Sequence, residues 1–150
     1  MNAFETIAQA IVAQLKADPS IADGQVQRGH GRPVPEGVDA AVTLALTNAL
    51  PTRSAIFGGP IDWLTTFSID CSARGSKSYP GAEVPAEQAA LALYQAAWER
   101  LFANPTLSGA VMDMEPLGFD VDTDELDTTV ATVRTGIRLR HRTAGNTLEV

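Results

Sequence analysis

The chain has 150 residues, 45% of them hydrophobic, and carries 11 Lys and Arg against 18 Asp and Glu for a net charge of −7. That balance argues against nonspecific nucleic-acid binding, which needs a basic face to neutralise phosphates, and the length fits one domain burying roughly 68–70% of its unfolded surface. The single cysteine, Cys71, excludes an internal disulfide and a cysteine-based metal cage. No window nears the ~18 consecutive apolar residues of a membrane span. The start, with Asn2 and Glu5, is unlike a basic and then apolar leader. These features predict a soluble protein made in a cytoplasm.

Residues 2–17 place Phe4, Ile7, Ala8, Ile11, Val12 and Leu15 at the i, i+3, i+4, i+7 spacing of an amphipathic helix. Asn2 is positioned to cap it, Glu5 sits three residues on, and Pro19 stops it. Residues 24–31 hold a short strand around Val26, broken into loop by Gly24, Gly29, Gly31, Pro33 and Pro35. Over 40–48, Val42, Leu44 and Leu46 alternate with Thr43, Ala45 and Thr47, which predicts a second strand. The connection over 49–62 contains Pro51, Gly58, Gly59 and Pro60, yet carries Ile56 and Phe57 outside any periodic element. Loops of this length without their own structure are uncommon unless they bind something, so Ile56 and Phe57 either meet a partner or tuck under the sheet.

From Trp63 to Arg74 the period is 2, with Trp63, Phe67, Ile69 and Cys71 on one side and Thr66, Ser68, Asp70, Ser72 and Arg74 on the other. Thr65 is the one polar residue on the apolar side. After Pro80 and Pro85 the period becomes helical over about 85–103: Leu93, Ala97 and Leu101 line up beside Ala90, Tyr94 and Trp98, and Asn104-Pro105 ends the run. This Ala-rich helix has too few polar residues for a fully solvated surface. Val111, Met112 and Met114 form a short apolar run, followed by a strand at 117–122 and a longer one at 127–142. In the last strand Val133, Ile137 and Leu139 face one way, and Arg134, Arg138, Arg140 and Arg142 the other. Residues 143–150 read as a frayed tail. The predicted fold is α+β, a mostly antiparallel sheet of about four to five strands packed against two main helices in one domain.

Motifs of catalysis or ligand binding are incomplete. The Gly-x-Ser-x-Gly pattern of a Ser-His-Asp hydrolase does not occur. His30 sits in a Gly-His-Gly loop that points to solvent, and His141 near the end of the last strand reads as structural. Gly75-Ser76-Lys77-Ser78 resembles the end of a phosphate loop, but Asp70 occupies the place of the required earlier glycine. Asp120-Val-Asp122-Thr-Asp124 begins like a calcium loop, then has Glu125 and Ala131 where glycine and glutamate are needed. Trp63 and Trp98 suit core or interface anchors better than a ligand platform. Cys71, mid-strand with no helix start or basic neighbour, reads as a small buried apolar residue. This leaves no catalytic, cofactor or metal site, and an enzyme is not expected. Charge is segregated along the chain: acids gather at Asp113, Glu115, Asp120, Asp122, Asp124, Glu125 and Asp127, ahead of the arginine-bearing strand. Such asymmetry marks either solvated faces or a charge-complementary contact between subunits.

Several of these features together resemble the tail terminator, or tail completion, proteins of long-tailed bacteriophages. They are the amino-terminal amphipathic helix, the strand Trp63-Leu-Thr-Thr-Phe-Ser-Ile-Asp-Cys-Ser-Ala-Arg74, the helix with Ala89-Ala90, Leu93, Ala97-Trp98 and Leu101, and the final strand ending Arg140-His-Arg-Thr143. The resemblance spans Phe4 to Thr143 and rests on pattern and element order. It implies an α+β protomer in a six-membered ring in the virion tail at its head-proximal end, assembled in the host cytoplasm. Such a ring binds the last ring of the tail tube protein, stops further addition and offers its other side to a head–tail connector protein, while DNA passes through without specific binding. It implies no catalytic residues. On this reading Arg134, Arg138 and Arg140 of one subunit meet Asp120 and Asp122 of the next, and Ile56 and Phe57 dock onto the tube. The alternatives are a head–tail connector or neck completion protein and, from a different class, a small-molecule binding module with its pocket near Trp63.

Overall fold

In a computed structural model, which describes residues 1–22, 25–29, 39–52, 58–77, 83–123 and 130–149, Asn2 accepts a hydrogen bond from the Glu5 backbone N–H at 2.8 Å. This closes the first turn of helix α1 (Ala3–Lys16), whose buried stripe is Ala3, Ile7, Ala8, Ile11 and Leu15. Strands β1 (Val26–Arg28), β2 (Ala40–Pro51) and β3 (Ile61–Arg74) follow. The short pair β4 (Ser76–Lys77) and β5 (Glu83–Val84) leads into helix α2 (Ala86–Phe102), and β6 (Asp113–Thr123) and β7 (Val130–Thr143) complete the chain. Gly75 is required at the approach to α2, because a Cβ there would lie 2.8 Å from the Val84 carbonyl oxygen and 2.9 Å from the Ala86 nitrogen.

The main sheet has the order β1-β2-β3-β7-β6, with β1 parallel to β2 and every other neighbouring pair antiparallel. The single α+β domain expected from the sequence is therefore what forms. Both helices pack on one face of the sheet. Their buried residues join Val42, Leu44, Phe67, Ile69, Cys71, Val133, Ile137 and Leu139 in one core, as the period-2 pattern of β3 and β7 dictates. Gln14 donates to the Arg100 carbonyl at 2.9 Å, and the Arg100 guanidinium donates to the carbonyls of Ala17 and Pro19, tying the end of α1 to α2.

Three boundaries move from their sequence expectation. A bulge between Leu46 and Asn48 resets the register of β2, which continues to Pro51 opposite Trp63, so β2 and β3 take up 49–51 and 61–62 of the connection expected over 49–62. β6 starts at Asp113, and an irregularity between Pro116 and Phe119 carries it past a residue with no N–H. Residues 144–149 turn back on the molecule: the Ala3 N–H donates to the Leu148 carbonyl at 2.7 Å and the Ala144 N–H to the Glu149 carbonyl at 2.8 Å. Gly145 lies so close to the loop before β3 that a Cβ would collide with the carbonyls of Gly58 and Gly59.

Candidate functional site

Alternation along β3, β6 and β7 sends every second side chain away from the helices, onto a sheet face that the helices leave uncovered. There Asp113 stands opposite Arg140, Glu115 opposite Arg138 and Asp120 opposite Arg134. On the other side of β7, Asp70 is opposite Arg134 and Asp62 opposite Arg142. Arg138 and Glu115 are 3.2 Å apart, and Arg140 and Asp113 3.9 Å. Arg134 lies 4.0 Å from both Asp70 and Asp122. Arg142 grips Asp62 with two hydrogen bonds of 2.7 and 3.2 Å, which hold the Asp62 carboxyl below its usual pKa and raise that of Arg142.

The acidic and arginine-rich runs, separate in sequence, are thus interleaved on one surface rather than forming two opposed ones. Arg134, Arg138 and Arg140, expected to meet Asp120 and Asp122 of a neighbouring subunit, have Asp113, Glu115, Asp70 and Asp122 as ion-pair partners inside one chain. These arginine side chains stay between 39% and 61% exposed, so each pair is worth at most about 1 kcal/mol and exchanges partners cheaply. Between them lies an open basin of about 560 Å³ lined by Ser68, Asp70, Leu117, Asp120, Arg134 and Gly136. It forms where Gly136 has no side chain and the irregularity in β6 swings Leu117 across it.

A second surface lies at the junction of α2 and the edge strand β6. Phe119 packs on Tyr94 at 5.1 Å between ring centroids, Tyr94 on Trp98 at 6.0 Å and Trp98 on Phe102 at 4.7 Å. Tyr94, Trp98 and Phe102 meet because residues four apart share one helix face. The row is only partly covered: Trp98 is 39% exposed, Phe119 49% and Val121 40%. The cavity beneath it, beside Ile69, Ala97 and Ile137, holds about 10 Å³, room for one water at most.

Trp63 is held by contacts with its neighbours. Its indole N–H donates to Thr143 Oγ1 at 2.8 Å, and Phe4 stands edge-on to it at 5.2 Å and to His141 at 5.0 Å. Thr65, the polar residue on the apolar side of β3, is fully buried and shares a 2.7 Å hydrogen bond with His141 Nε2. Burial lowers the His141 pKa, and its Nδ1 is buried without a hydrogen-bond partner among the described residues. Cys71 is also sealed in the core, where desolvation, helped by the charge of Asp70, pushes its thiol up to about 12.

Ile56, Phe57 and His30 lie outside the described residues, as do Asp124, Glu125 and Asp127 of the acidic run. Among the described residues no group of three or more His, Cys, Asp or Glu is placed to hold a metal ion, and no helix is long and apolar enough to cross a membrane. Sequence reasoning missed Phe119 and Val121. Their alternation with Asp120 and Asp122 marks a half-buried strand, but not that it is an edge strand.

No protein-family model and no curated protein matches the chain. Among solved structures it is similar to a chain from the virion of a native gene transfer agent particle, with 15% identity and a TM-score of 0.51, covering 90% of this chain and 93% of that one. A chain from an extracellular contractile injection system, described as the PVC sheath/tube terminator in the extended state, has 12% identity and a TM-score of 0.39, with 96% of this chain covered and 58% of that one. The first likeness shows a shared fold from end to end.

Proposed function

We propose that this chain is a structural subunit of a phage-type tail: a ring, six-membered by the tail-terminator resemblance, that occupies the end of the tail tube, ends its polymerisation and presents a surface for the head connector. The observation that carries the reading is the end-to-end likeness to a chain of the gene transfer agent virion. Its mechanism is capping, not catalysis. The loop that contains Ile56 and Phe57 is the proposed contact with the tube. The open charged face is the proposed lining of the ring's channel, because arginines already paired with carboxylates attract DNA phosphates weakly and let DNA pass. Asp120 and Asp122, like Asp113 and Glu115, lie on the edge strand that a neighbouring subunit reaches first; Arg134, Arg138 and Arg140 lie one strand further in.

Deleting the protein from its particle tests this reading by negative-stain microscopy. Overlong tubes are expected. Finished tails beside filled heads would instead assign it to the neck, the second reading that a virion chain of this fold supports, and normal particles would overturn both. Ile56→Ser with Phe57→Ser is expected to give overlong tubes as well, and Asp120→Lys with Asp122→Lys to slow DNA ejection.

A further inference from the structure

We infer that the subunits join by continuing the sheet, the β6 edge of one chain pairing with the β2 edge of the next. This inference rests on the ring reading above and names its contact. Both edges are open among the described residues. β1 covers β2 only from Val42 to Leu44, so the part from Ala45 to Pro51 has β3 as its one strand neighbour. β6 has β7 on one side and ends the sheet on the other. A strand edge with unpaired N–H and C=O groups is a template for another strand.

Direction fits. β2, β3, β7 and β6 alternate in sense, so β6 runs opposite to β2. Two copies placed side by side in the same orientation therefore bring β6 against β2 as an antiparallel pair. The stretch Phe119–Thr123 lies beyond Pro116 and the irregularity after it, so it offers an unbroken edge.

Side chains fit as well. Phe119 and Val121 point to the helix side, opposite Thr135 and Val133 of β7. On β2, Leu46 points to the same side, opposite Phe67, and is 43% exposed. Sheet continuation therefore sets exposed apolar residues against each other, and covers the open end of the Tyr94–Trp98–Phe102 row. On the charged face, Asp120 and Asp122 would meet Ala45, Asn48 and Leu50, none of them charged. A two-fold contact of β6 with β6 would instead place Asp113, Glu115, Asp120 and Asp122 against their own copies, a like-charge arrangement that destabilises strand pairing. The contact is therefore head to tail, the kind that closes rings.

Single-cysteine additions test this, since buried Cys71 is shielded from reagents while the core stays closed. Leu46→Cys protein is mixed with Phe119→Cys or Val121→Cys protein under oxidising conditions, and native mass spectrometry follows assembly. The expected result is a disulfide-linked pair in at least one mixture and in neither protein alone, with Leu46→Lys and Val121→Lys each requiring at least tenfold more protein to assemble. Cross-linking of one variant with itself, or rings that form without any mixed pair and withstand both lysines, overturns this contact and leaves the ring reading standing. A wild-type chain that stays monomeric both alone and on its tube overturns the ring reading, and this inference with it.

Discussion

The two faces of β7 use one strand for two purposes. Toward the helices it presents Val133, Ile137 and Leu139, each no more than 3% exposed; toward solvent it presents Arg134, Arg138, Arg140 and Arg142, each beside a carboxylate. The covered face holds the fold through buried area, at roughly 25 cal/mol per Å² of apolar surface. The open face holds little of it, because exposed ion pairs in water nearly balance their desolvation and ordering costs. A surface that contributes little to stability is free to be specialised for contact.

The sharpest way to break that contrast is Phe67→Ala on the covered face, expected to cost about 3–5 kcal/mol in urea unfolding, while Arg140→Ala one strand away stays within about 0.5 kcal/mol. Equal losses would mean the open face is structural after all. Thr65→Val comes next: it leaves the buried His141 Nε2 without its partner and should cost about 1–3 kcal/mol. The same corner predicts a pH dependence. Burial lowers the His141 pKa from its ordinary 6.5, so below that pH the unfolded chain takes up a proton that the folded chain refuses, and stability falls as pH drops from 6.5 toward the folded pKa. Replacing His141 by Phe should flatten unfolding curves in that window without altering the more acidic window of Asp62, whose lowered pKa makes its contribution fade as pH falls below 3.8. The smallest effect belongs to Arg138 and Glu115, whose double-mutant cycle should give about 0.2–1 kcal/mol and vanish in 1 M salt.

The elements whose residues keep a strict period are legible in the sequence. The stripes of both helices, and the two faces of β3 and β7, follow from 3.6- and 2-residue repeats without knowledge of their neighbours. β2 beyond Asn48 and β6 before Leu117 are not, because a bulge and Pro116 interrupt alternation where strand pairing itself continues. The candidate surfaces are legible only in part. Arg134, Arg138 and Arg140 announce a shared face, but their partners depend on the register between β6 and β7, which a one-residue slip would change entirely. Phe119 and Val121 carry the signature of core residues and become surface residues only because β6 falls last in the strand order, a property of topology that no local pattern encodes.

Cys71 gives the molecule an internal stopwatch. With Cys71 at 0% exposure and its proton held so tightly, alkylating reagents must wait for the core to part, so the pace of labelling counts how often the helices and the sheet separate. Comparing that pace in the free chain with its pace in an assembled particle would show how far neighbours restrain such excursions, with no added dye or probe.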